Sequence, residues 1–116
     1  MRKLLFSVDA TAREGNLLYL GGRCYEDVIC LGDEFTASLA GSDSALARPV
    51  ALRVQAILFY GRYINRLDSG HTAELALEIL SEATPVVGEV ISGRSEEEAF
   101  STIELLGEGD FHVKPV

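Results

Sequence analysis

The apolar residues of this chain come in short runs, none longer than about five, and most are closed by turn residues. The stretch 15–33, GNLLYLGGRCYEDVICLGD, shows the pattern best. Its first run, LLYL, ends at Gly21-Gly22, and its second, VICL, ends at Gly32-Asp33. Runs this short between glycines are too brief for core helices. They read as two β-strands joined by a tight turn, with a third strand over residues 34–39 beyond the next turn.

At 116 residues the chain is long enough for one compact core. Its 47% apolar and 24% charged content is ordinary for a globular domain. A spanning helix needs roughly 20 apolar residues, and no such run occurs. The N-terminus, MRKLLFSVDA, has only three apolar residues in a row, short of the roughly 7–15 of a secretory signal, so the expected compartment is the cytoplasm. Cys24 and Cys30 are the only cysteines, and their C-x5-C spacing is not a usual metal pattern. Both are expected to be reduced and structural. The net charge of −8 is concentrated at the C-terminal end: residues 74–116 hold ten carboxylates against Arg94 and Lys114. That third excludes itself as a nucleic-acid face, because phosphate is neutralised by Lys and Arg. Arg48, Arg53, Arg62 and Arg66 leave a local basic patch open, beside the simpler reading of solvated arginines.

Along the chain, residues 3–9 alternate as a first strand with Leu4, Phe6 and Val8 on one face, followed by a polar connection over 10–14. Residues 40–49, rich in small and turn residues, form the expected long loop. Residues 50–60 are the strongest strand candidate, with Val50, Leu52, Val54, Ala56 and Leu58 on one face. Residues 61–70 read as a turn or irregular excursion. Residues 72–81 fit both a strand, through Ala73, Leu75, Leu77 and Ile79, and a helix, through Ala73, Ala76, Leu77 and Leu80. A short strand is expected over 86–92. In residues 95–107 the Ser95/Glu98 capping box favours a helix, and a hairpin across GEGD is the alternative.

Taken in order, these residues resemble the β-barrel domain II of translational GTPases, the elongation factor Tu group. The matching residues are Phe6, then Gly15, Leu17, Leu18, Gly22 and Arg23, with Cys24 in the valine place, then Val28, Ile29, Leu31, Gly32 and Asp33. Further on, Val54 and Ile57, Ser69-Gly70, Leu75 and Leu77, and Gly88-Glu89-Val90-Ile91 follow the same pattern. One extra residue lies between Gly15 and Gly22, and Asp27 stands where the family has a turn glycine. The resemblance covers roughly residues 3–92. It implies an all-β fold, a closed six-stranded antiparallel, Greek-key-like barrel of the translation-protein type. A short C-terminal helix or hairpin would complete the fold. The division expected is a barrel over 1–94 and an acidic extension over 95–116. Arg23 is expected to be a structural arginine bonded to carboxylates or carbonyls. The G-x4-G-K-[ST] phosphate loop of a GTPase is absent from this sequence, so the expectation is a stand-alone barrel that docks rather than hydrolyses.

No catalytic, cofactor or metal constellation stands out. Ser69, His71 and Asp68 are neighbours in a turn, and adjacency alone does not make a triad. His112, Asp110 and Glu108 lack metal-ligand spacing. Tyr19, Tyr25, Phe59, Tyr60 and Tyr63 suit either base stacking or packing. The candidate interaction surface is Phe59, Tyr60, Arg62, Tyr63 and Arg66, because aromatics and arginine dominate binding hot spots. The expected function is a non-enzymatic module that binds no cofactor and no membrane and docks a protein partner. An RNA- or ribosome-associated accessory and a small-molecule-binding barrel are the alternatives.

Overall fold

A computed structural model describes residues 1–40 and 47–95 of the chain. The expected C-terminal helix or hairpin, the acidic extension beyond Ser95 and most of the loop over 40–49 lie outside the described residues. Within them are nine strands: β1 (Arg2–Glu14), β2 (Leu17–Cys24), β3 (Ile29–Cys30), β4 (Glu34–Ala40), β5 (Arg48–Phe59), β6 (Arg62–Ile64), β7 (Arg66–Leu67), β8 (Thr72–Ile79) and β9 (Glu89–Ser95). No helix among the described residues is long and apolar enough to cross a membrane.

Six of the strands form a closed antiparallel barrel in the order β4-β9-β1-β2-β8-β5, sealed by a β4–β5 pairing. Closure leaves each strand one inward face, and the inward residues are apolar. Leu4, Phe6 and Val8 of β1 meet Leu18 and Leu20 of β2, Phe35 of β4, Leu52 and Ile57 of β5, Leu75 and Leu77 of β8, and Ile91 of β9. The strand reading of 72–81 therefore wins over the helical one. Leu75 and Leu77 alternate into this core, and tertiary pairing outweighs a helix propensity worth tenths of a kcal/mol per residue.

Four expectations are corrected. First, the two apolar runs around Gly21-Gly22 do not pair with each other. β2 pairs with β1 and β8, while β3 joins β7 in a separate two-stranded sheet, Ile29 opposite Leu67. Second, residues 10–14 are not a connection. They continue β1 past a bulge between Val8 and Ala10 and pair with β2, Glu14 opposite Leu17. Third, the excursion at 61–70 contains β6 and β7. Fourth, β5 does not keep one face along its length. A bulge between Val54 and Ala56 flips the phase, so Val50, Leu52, Val54 and Ile57 are buried while Ala56 and Leu58 turn outward.

Two polar hubs, one buried and one half-buried, fasten the ends of the strands. The Arg2 guanidinium donates a bidentate pair to Asp33, 2.7 and 2.9 Å, and further bonds to the Val28 carbonyl and the Ser95 hydroxyl. The Cys30 N–H also donates to Asp33. This hub ties β1, the β3–β4 turn and the end of β9 together. At the second hub the Glu89 carboxylate accepts from the Ser38 hydroxyl (2.8 Å), Arg48 (2.7 Å) and the Val86 N–H (2.9 Å). Burial alone pushes the Glu89 carboxyl up. The bonds from Val86, Ser38 and Arg48 outweigh it and hold the group below its ordinary value.

Candidate docking surface

The β5–β6 hairpin carries most of the aromatic residues singled out in the sequence. Its loop is two residues long, since Phe59 is opposite Arg62, and both loop residues have positive φ: 51° at Tyr60 and 79° at Gly61. That is the signature of a type I′ turn, whose twist matches paired strands. Glycine at the second position meets the requirement freely. Tyrosine at the first does not, and a left-handed L-residue costs about 1–2 kcal/mol. Tyr60 is nonetheless 83% exposed, so core packing does not explain its choice. Its ring meets Phe59 edge-on at 4.6 Å, and Phe59 in turn lies 5.5 Å from His71.

The hairpin splits the predicted surface in two. Leu58 and Tyr63 are paired and share one face, and Ile57, Phe59, Arg62 and Ile64 share the other. Phe59 and Ile64 pack on the core. Arg66 belongs to β7 and pairs with Asp68 at 3.3 Å. The structure therefore groups Tyr63 with residues the sequence reading did not single out as a site, and places Arg66 apart from them.

Those further residues form an open groove of about 250 Å³ on the outside of the barrel, lined by Leu17, Tyr19, Gln55, Ala56, Leu58, Tyr63, Glu74 and Ala76. Its origin is legible in the pairing. Ala76 of β8 lies between Tyr19 of β2 and Ala56 of β5, so two small side chains make a floor between larger walls. Leu58 is opposite Glu74, and Tyr63 is opposite Leu58. The β5 bulge brings Gln55 and Ala56 to the same rim. One signal for this groove was present in the sequence: LLYL and AILF are apolar on both faces of their strands, more than a single inward face requires.

The electrostatics are acidic. Glu78 accepts from Arg53 (3.1 Å) and Gln55 (3.0 Å). Glu74, exposed on the groove wall, has no ion pair or hydrogen-bonded partner among the described residues. The basic patch left open by the sequence is internally neutralised. Arg48 is paired with Glu89, Arg53 with Glu34 and Glu78, and Arg66 with Asp68, which leaves Arg62. Arg23 is exposed, and its guanidinium forms no hydrogen bond among the described residues, contrary to its expected structural role.

The remaining polar candidates are engaged locally. The Ser69 hydroxyl donates to the Tyr25 carbonyl at 2.9 Å, away from His71. Cys24 and Cys30 are buried free thiols. Burial, with the nearby Asp68 and Asp27 carboxylates, pushes the Cys24 thiol up to about 11, and its Sγ–H donates to the Asp27 carbonyl. No group of three or more His, Cys, Asp or Glu among the described residues is placed to hold a metal ion.

The fold is that of a translation-factor β-barrel domain. Its architecture is shared with translation elongation factor SelB from Methanococcus maripaludis, whose apo crystal structure matches with a TM-score of 0.62 at 12% identity over 79% of this chain. The chain spans only 19% of the length of that protein. No family model and no curated protein sequence matches the chain.

Proposed function

We propose that this barrel is a non-enzymatic docking module that binds a partner protein through the tip of the β5–β6 hairpin and the groove beside it. The observation that carries the reading is Tyr60: a bulky, exposed aromatic held in a left-handed conformation that glycine or asparagine would occupy at lower cost. Tyr63, 51% exposed, and Arg62 flank it on opposite faces of the same hairpin, and all three are residue types favoured at binding hot spots. The pairing of Arg48, Arg53 and Arg66 with carboxylates favours a protein over an RNA partner, because paired arginines release few counterions from phosphate.

The test is an affinity capture from lysate of the source cells, with and without RNase, using the wild-type chain and a Tyr60→Asn/Tyr63→Ser variant. The expected result is one stoichiometric protein that survives RNase and is lost with the variant. Ribosomal proteins that vanish on RNase treatment would replace this reading with an RNA-linked one.

A further inference from the structure

We infer that the groove over Ala56 and Ala76 receives one large apolar side chain of the partner, and that a Lys or Arg adjacent to it in the partner pairs with Glu74. This rests on the docking function proposed above and specifies the partner's chemistry.

Three observations converge on it. The groove is floored by two alanines, walled by Leu17, Tyr19, Leu58 and Tyr63, and open to solvent, so it offers room for one side chain rather than a broad flat patch. Its apolar walls gain most by covering a hydrophobic group. Its charge has one sign: Glu74 lies on the wall without a cation, and Glu78 stands two steps further along the same face of β8, beyond Ala76. Arg53 is shared between Glu34 and Glu78, and Glu74 forms no ion pair among the described residues. An apolar residue alone would leave that carboxylate against a dry contact, and an acidic neighbour would be repelled. A cation beside the anchor satisfies both.

The experiment is an amide-resolved NMR titration of the ¹⁵N-labelled full chain with three probes: N-acetyl-tryptophanyl-arginine amide, its glutamate counterpart, and adenosine monophosphate. The arginine probe is expected to shift the Ala56, Tyr63 and Ala76 signals saturably. The glutamate probe should bind about fivefold more weakly, the scale of an exposed charge contact. Glu74→Gln, a surface substitution that keeps the spectrum dispersed, should erase the difference between the two. Ala76→Leu, which fills the floor, should abolish both. Shifts confined to other surfaces, equal binding of both dipeptides by the wild-type chain, or preferential groove binding by the nucleotide would each overturn the inference. If these probes fail while capture still depends on Tyr60 and Tyr63, the docking function stands and only the anchor chemistry falls. If capture loses that dependence, the docking function itself falls.

Discussion

Gly22 and Gly21 are neighbours in β2 and differ by one step of the pleat, yet substitution by alanine should have opposite consequences. Gly22 is buried, opposite Val8 where β1 bulges. A Cβ there would overlap the Ser7 carbonyl oxygen and sit 2.8 Å from the Ser7 carbonyl carbon and 2.9 Å from a ring carbon of Phe6. Relaxed carbon contacts settle at about 3.5–4.0 Å. The nearest obstacles are backbone, which cannot swing away as a side-chain tip can. Relief requires β1 and β2 to part at Ser7–Arg23 and Val8–Gly22, with loss of about two ladder hydrogen bonds near 1 kcal/mol each and disturbance of the packing of Phe6. The expected cost of Gly22→Ala is about 3 kcal/mol, which lowers Tm by about 10 °C or more in a domain of this size. Gly21 faces outward, and a Cβ there meets only the Ala10 Cβ at 3.6 Å, an ordinary contact. Gly21→Ala should therefore fall between neutral and about 1 kcal/mol stabilising, through the lower entropy of its unfolded chain. Urea titrations of the wild type and both variants, fitted with a common m-value, measure the difference. A Gly22→Ala protein within about 0.5 kcal/mol of wild type would refute the reasoning, since surface substitutions free of such clashes stay within that range.

Two further outcomes test the polar hubs. Asp33→Asn should destabilise the fold by about 3–5 kcal/mol in urea melts, because it leaves the buried Arg2 guanidinium without its counter-charge. For Glu89 the sign follows from a folded-state carboxyl held below its unfolded value: its stabilising contribution is complete above the ordinary glutamate range and is lost as pH falls through the folded-state value. Glu89→Gln should therefore lower stability at neutral pH and flatten the loss of stability in acid, read as urea midpoints between about pH 3 and 7.

The barrel strands were legible because each needs one apolar face. Leu4-Phe6-Val8 and Leu75-Leu77 gave their inward sides through simple alternation, whereas Gly21-Gly22, read as a turn, lie inside β2, where Gly22 lets β1 approach closely. The order of glycines and apolar runs was enough to suggest the architecture. Partner choice between strands was less legible. Val28–Leu31 looks like a hairpin mate for β2, but only tertiary closure reveals that β8 takes that position and that Ile29 pairs with Leu67 instead. The groove was hidden for a related reason. The bulge at Gln55 shifts the alternation of β5 by one residue, and a single added residue turns Ala56 and Leu58 from core to surface. Of the predicted docking residues, Tyr60, Arg62 and Tyr63 are exposed together on one hairpin, Phe59 is half spent on the core, and Arg66 is paired elsewhere. Sequence spacing put them near one another but did not divide the two faces of the hairpin.

The pairing of β1 with β9 sets Arg2 opposite Ser95, so the described barrel begins and ends on adjacent antiparallel strands. A load applied to those two points would not slide the strands past each other. It would meet the Arg2 bonds to Asp33 and Ser95 first, and then open the ladder one rung at a time from Arg2–Ser95 toward Ser7–Val90. The same barrel pulled between Arg2 and the β5–β6 tip would have to break several strand pairings together. Its mechanical resistance is therefore directional: weak where the chain enters and leaves, and strong across the body that presents Tyr60.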